Sequence, residues 1–110
     1  MKRGDLVWAA PDPSVGREQA GRRPVLLVSS DDALAALPQI VTTIPLTTRQ
    51  RDWPTRIAVT GPHTGLTDPS WAVCEQVRTI STERLRSRIG TSDEDTLEQA
   101  GRVLRYLLGL

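Results

Sequence analysis

The chain has 110 residues, 14 of them basic and 13 acidic, with a formal net charge of +1. That length fits one domain spanning 1–110, and its single cysteine and single histidine exclude an intrachain disulfide and a Cys/His metal cluster. No apolar run is long enough for a membrane helix and no leader pattern is visible, so no membrane association and a cytoplasmic location are expected.

In chain order, Asp5–Ala10 reads as a first strand, stopped by Pro11-Asp12-Pro13 because proline cannot donate to a ladder. Residues 14–22 form a charged loop in which Gly16 and Gly21 frame Arg17, Glu18 and Gln19. Val25–Ser29 is apolar on both faces, as a central strand is. Residues 31–37 suit a short helical turn capped by Ser30 or Asp31. Gln39–Leu46 is rich in β-branched residues and predicts a third strand, with Pro45 placing its end at an edge or outside the sheet. Thr47–Pro54 is a polar, basic loop carrying Trp53. Thr55–Thr60 alternates like a strand, 61–69 is turn chemistry, and Ser70–Val77 reads as a fifth strand. Thr79–Thr82 continues it, Thr82–Leu85 suits a helical turn, and Arg88–Gly90 a last short strand.

The end of the chain predicts a helix capped by Ser92. Asp93, Glu94 and Asp95 sit at its positive pole, and Leu97, Ala100, Leu104, Leu107 and Leu108 form one apolar face. Helix chemistry alone accounts for the acidic turn. Outside it, residues 1–92 hold 12 basic and 9 acidic residues, a mildly basic body that permits a nucleic-acid partner. Thirteen of the 14 basic residues are Arg, which grips phosphate through two parallel hydrogen bonds. Several short strands followed by one helix predict a mainly β fold, a small, strongly bent sheet or barrel with the helix packed on it.

Phosphate-binding glycine motifs and a nucleophile elbow are absent from the sequence, and no cofactor is expected. His63, in Gly61-Pro-His-Thr-Gly65, reads as an exposed turn residue, and a single histidine excludes a two-histidine ribonuclease mechanism within one chain. Cys74 lies in an apolar run and reads as a packing residue. What remains for chemistry is Arg23 at the start of one strand and Thr47 or Thr48 at the end of another. If those ends converge, a guanidinium and a hydroxyl face one phosphate and can stabilise charge developing on its oxygens.

Several blocks resemble one known family. Lys2-Arg-Gly-Asp-Leu-Val-Trp8, Asp12-Pro13, Gly16-x-Glu-Gln-Ala-Gly21 and Arg23-Pro-Val-Leu-Leu-Val-Ser29 resemble the N-terminal half of MazF/PemK-type toxins. Ile44-Pro-Leu-Thr47-Thr, Trp53-Pro-Thr-Arg-Ile-Ala-Val59, Glu75-Gln-Val-Arg-Thr-Ile-Ser81 and the closing Arg102–Leu110 continue the likeness in the same order. The resemblance implies a small SH3-like barrel (the CcdB/MazF type) with a C-terminal helix. It implies a homodimer that cleaves single-stranded RNA at short sequences without a metal, leaving a 2′,3′-cyclic phosphate and a 5′-hydroxyl. It also implies a cognate antitoxin. The family's catalytic Arg falls on Arg23 and its Thr on Thr47, with Thr48 one residue away. Glu18 and Gln19 fall where the family holds RNA, and the Glu75-Gln76 pair where it shapes its groove. Arg17, Arg49, Gln50, Arg51 and Trp53 occupy the region that varies among members, with Trp53 as a candidate stacking platform. Two other readings are open: a gyrase-directed toxin of the same fold, and an RNA-binding module that does not cleave.

Overall fold

Along residues 5–9, Leu6 faces one side of a sheet and Val7 and Ala9 the other, the period of two that pleated strands impose. The computed structural model describes residues 1–11 and 21–110. Among them are seven strands: β1 (Asp5–Ala9), β2 (Arg23–Leu27), β3 (Ile40–Thr47), β4 (Arg56–Ala58), β5 (Trp71–Val73), β6 (Arg78–Ser81) and β7 (Leu85–Thr91). Two helices accompany them, α1 (Asp31–Ala36) and α2 (Glu94–Leu108).

All pairings are antiparallel, in the order β4-β5-β3-β2-β1-β7, and β6 also lies on β3. One edge of β3 carries β2. The other is shared: β6 pairs with Ile40–Thr43, and β5 with Leu46 and Thr47. The expected fifth strand therefore breaks into β5, a 3₁₀ turn at Cys74–Gln76, and β6. Pro45 explains the break. Val28 donates to the Thr42 carbonyl, so even-numbered residues of β3 aim their backbone groups at β2 and odd ones at the shared edge. The missing N–H of Pro45 faces the changeover between β5 and β6, where no ladder bond is lost. Pro45 thus stays in the sheet, at a step whose other edge is unpaired, so the expected edge is a local one.

The fold is mainly β with a C-terminal helix, as expected, but the sheet is not a barrel closed by pairing. Among the described residues no bonds join β6 to β7. After β6 a second 3₁₀ turn, Thr82–Arg84, is capped by Ser81 Oγ accepting from the Glu83 N–H at 3.1 Å. It sends the chain onto the free edge of β1 instead of back along β6.

Each face of the sheet carries a core. Leu6, Leu26, Ile44, Leu46, Ala72 and Cys74 pack under Leu97 and Ala100 of α2. On the other face Val7, Ala9, Val25, Leu27, Val41 and Ile80 are covered in part by Leu34 and Leu85. The cap of α2 is Asp93, not Ser92. The Asp93 carboxylate accepts from the Thr96 N–H (2.9 Å), from the Thr96 hydroxyl (2.8 Å) and from the Thr60 hydroxyl (2.9 Å). These bonds, the Thr96 N–H first, hold its carboxyl below the usual aspartate value. The Ser92 hydroxyl is engaged elsewhere, donating to the Gly4 carbonyl at 3.0 Å. The apolar face of α2 is buried at Leu97 and Ala100, and Leu107 and Leu108 emerge to solvent.

Candidate active site

The second core runs short of bulk at one end. Ala9 and Ala10 offer only methyl groups there, and beyond Val25 the sheet surface hollows into a cleft of about 310 Å³. Its floor is Ala9, Ala10, Val25, Thr43, Pro45 and Ile80, and around it stand Arg23, Gln76, Arg78 and Arg84. No carboxylate lines it among the described residues.

Arg23 is the first residue of β2 and pairs with Ala9, at the strand start where it was expected. Likewise Thr47 is the last residue of β3, paired with Trp71. The β2–β3 register runs Leu27 to Thr43, Leu26 to Ile44 and Val25 to Pro45. Carried two residues further, it sets Arg23 across from Thr47. By the alternation just described this is a non-hydrogen-bonded position, where opposed side chains approach most closely and share a face. The hydroxyl oxygen of Thr47 accepts from the Arg49 N–H at 3.1 Å. That bond turns the chain out of β3 and leaves the hydroxyl proton available. Thr47 and Thr48 line a smaller hollow with Pro24, Leu46 and Ser70. Of the two, Thr47 has the strand position and the partly buried side chain, while Thr48 is exposed.

Gln76 enters the cleft from the 3₁₀ turn. Its neighbour Glu75 turns the other way and makes the tightest polar contact of this region. Glu75 Oε2 accepts from Arg56 Nη2 (2.9 Å) and Nε (3.1 Å), and Oε1 accepts from the Thr55 hydroxyl (2.7 Å). Partial burial alone pushes the Glu75 carboxyl up. The Thr55 hydroxyl, its own N–H and Arg56 outweigh it, and the net result lies below the usual glutamate value. Arg56, so fixed, stacks on Trp53 with its guanidinium carbon 4.6 Å from the ring centroid. Arg51 approaches the same ring at 5.9 Å. Trp53 is 49% exposed. It is neither a lid on the core nor part of the cleft lining, but an indole clamped by cations beside it.

The remaining sequence candidates separate. Arg49 is exposed and does not line the cleft. Arg17, Glu18 and Gln19 lie outside the described residues. His63 is exposed in its turn, as expected, and its carbonyl accepts from the Thr91 N–H at 2.9 Å. Cys74 is buried. Burial, then the charge of Glu75, raise its thiol to about 11, so it stays protonated and unreactive near neutrality. Sequence reading missed Arg78 and Arg84 as cleft residues. For Arg78 the signal was its two-residue spacing from Ile80, which places both on one face.

A model of the PemK-like, MazF-like toxins of type II toxin-antitoxin systems matches residues 2–108. The chain belongs to this family. Endoribonuclease EndoA of Bacillus subtilis (strain 168) is 32% identical over 111 residues, covering 100% of this chain and 96% of that protein. Endoribonuclease MazF9 of Mycobacterium tuberculosis is 32% identical over 115 residues, covering 100% and 98%. A crystal structure of MazE-MazF from Deinococcus radiodurans (form II) matches with a TM-score of 0.83 at 25% identity, over 100% of this chain and 96% of that one. The fold expected of a MazF/PemK-type toxin is thus the fold present.

Proposed function

We propose that this protein is the toxin of a type II toxin-antitoxin pair and cleaves single-stranded RNA at short sequences, with Arg23 and Thr47 as its catalytic residues. The observation that carries the reading is their shared position. Arg23 lines a cleft that is basic among its described residues, and the β2–β3 register, carried two residues beyond Val25–Pro45, puts Thr47, which lines a smaller hollow, across from it. The naming of two full-length relatives as endoribonucleases supports it.

In this mechanism the 2′-oxygen of the RNA attacks the adjacent phosphorus and the P–O5′ bond breaks. The 2′-hydroxyl proton passes to a base and the departing 5′-oxygen takes up a proton. The products are a 2′,3′-cyclic phosphate and a 5′-hydroxyl. Arg23 holds the non-bridging oxygens as their charge grows. Thr47 donates to one of them or orients the 2′-hydroxyl. A guanidinium is a poor base, so the base is assigned to a carboxylate, with Glu18 the candidate. An in-line approach needs a strand free of pairing, and its splayed bases can stack on an aromatic face; Trp53 serves as that face. Gln76 and, at the loop, Arg17, Gln19, Thr48 and Arg49 hold the RNA. The toxin acts in the cytoplasm as a homodimer, with an antitoxin protein as its inhibitor.

The test is cleavage of a long single-stranded RNA in EDTA, with cuts mapped by primer extension and their ends identified chemically. Site-specific cuts with 5′-hydroxyl ends are expected. Arg23→Ala and Thr47→Ala each lower the rate by a hundredfold or more, about 3 kcal/mol of barrier. Intact RNA with folded, antitoxin-free protein would overturn the reading and favour a gyrase-directed or purely RNA-binding protein.

A further inference from the structure

The cleft continues past Arg23. A second hollow of about 490 Å³ adjoins it and shares Arg78, Ile80 and Arg84 with it. Arg86 and Glu83 extend its lining. Three guanidiniums and one carboxylate therefore follow the arginine at the proposed catalytic position.

Their placement follows from the sheet. Arg78 opposes buried Thr43, whose hydroxyl donates to the Arg78 carbonyl at 3.2 Å. Ile80, two residues on, is in the second core, so the Arg78 side chain stands over the same surface. Arg84 donates from Nε to the Ala10 carbonyl at 2.9 Å, which fixes its guanidinium against the end of β1. Arg86 donates from Nη1 to the Glu83 carbonyl at 2.7 Å. The ion pairs among the described residues all lie elsewhere, at Arg56–Glu75, Arg88–Asp5 and Arg102–Glu98. Among the described residues, Arg78 and Arg84 thus line a cavity with no carboxylate bound to them.

We infer that Arg78 and Arg84 form a second phosphate subsite, which holds the RNA backbone at a phosphate beside the scissile one. The inference rests on the proposed RNA cleavage. Along β3, Thr43 (opposite Arg78) is four residues from Thr47 (opposite Arg23), about 13 Å of strand. That offset lets each arginine take its own phosphate. Such contacts fix the register and orientation of a strand without reading its sequence. A flexible single strand needs this if its 2′-oxygen is to stay in line with phosphorus at Arg23.

The experiment measures the affinity of the folded protein for an oligoribonucleotide carrying the mapped cleavage site, with a 2′-deoxy nucleotide at that site to prevent cutting. Wild type, Arg78→Gln and Arg78→Lys are titrated across salt concentrations. For a single strand each neutralised phosphate contributes about 0.7 to the slope of log affinity against log salt. Arg78→Gln should lower the slope by about that amount and weaken binding about fivefold at 0.1 M salt. The mapped cleavage sequence should stay the same, and Arg78→Lys should restore most of the slope. Shortening the RNA to the dinucleotide that spans the cut, which lacks the neighbouring phosphate, should abolish the difference between wild type and the variant. An unchanged slope, or an equal loss on long and short RNA, overturns the subsite. So does a slope that falls only for a polyglutamate peptide, which would assign the surface to an acidic peptide. Absence of RNA binding by wild type would instead refute the RNA reading itself.

Discussion

Replacing Glu75 with Gln isolates the clamp beside the cleft. The change keeps shape and an acceptor oxygen but removes the charge facing Arg56. The two side chains are 23% and 11% exposed, so water recovers little of what is lost. Removing one partner of a fully buried pair costs about 3–5 kcal/mol. Partial exposure and the retained amide oxygen reduce this, and about 2 kcal/mol is expected. For a chain of this size that lowers the melting temperature by about 8 °C. The pH dependence supplies the sharper check. The Glu75 carboxyl is held below its ordinary value of 4.5 in the folded protein. Its contribution is therefore fully present above that value and is lost as pH falls through the lowered one. Urea unfolding followed by circular dichroism should show the whole gap between wild type and E75Q at pH 7, closing as pH drops below 4.5. Trp53 emission should shift as well, because Arg56 is no longer pinned over the indole. A gap below about 0.5 kcal/mol, the ordinary range for surface substitutions, or a gap independent of pH, would refute the clamp.

Three further outcomes follow from local geometry. At Gly90 an added methyl would meet the Thr64 and His63 carbonyl oxygens at 2.2 and 2.4 Å. Both are backbone atoms, so Gly90→Ala should cost about 3 kcal/mol or more in chemical denaturation, and a neutral result would mean that the 61–66 turn is not seated on β7. Cys74, with its thiol raised from 9.0 to about 11, should resist a thiol reagent at pH 8 until the protein unfolds. Because the folded value is the higher one, its contribution is complete below pH 9 and is lost as pH rises through about 11, up to about 3 kcal/mol; Cys74→Ala should remove that decline. Trp53→Ala should weaken binding of the uncleavable RNA by about 1–3 kcal/mol per stacked base, and Trp53→Phe should recover most of it. Equal affinities for all three proteins would exclude Trp53 as a platform.

The elements most legible in the sequence were those whose pattern is set locally. The 3.6-residue apolar period marked α2, and the alternation of Thr55–Thr60 marked β4. What escaped notice depended on distant partners. Ser92 and Asp93 are equally good caps by type, and the Gly4 carbonyl, 88 residues away from Ser92, decides between them. Ser70–Val77 reads as one strand because its residues suit one. The break at Cys74–Gln76 is imposed by the changeover on β3 at Pro45. For the same reason nothing local singles out Arg78 and Arg84 as cleft residues. Their meaning depends on which face Ile80 buries and on where Ala10 ends β1.

The position of the cleft follows from how the second core ends. One face of the sheet is finished by α2, whose Leu97 and Ala100 close over Leu6 and Ile44. Among the described residues the other has only Leu34 and Leu85 to cover it, and neither lines the cleft at Arg23. Larger side chains at Ala9 and Ala10 would fill the hollow and add buried apolar area, worth roughly 0.8 kcal/mol per methylene. They would also displace whatever the arginines hold. Leaving that area unburied keeps the cleft open, while Arg23 and Thr47 stay anchored in strands whose neighbouring residues Val25, Leu26 and Ile44 are buried. Groups placed this way lose little freedom when a phosphate arrives, since the sheet has already fixed their backbone. On this argument Ala9→Leu should stabilise the fold or leave it unchanged while abolishing RNA binding. A variant that melts lower and still binds would show that the alanines serve packing, and that the cleft is not where the RNA lies.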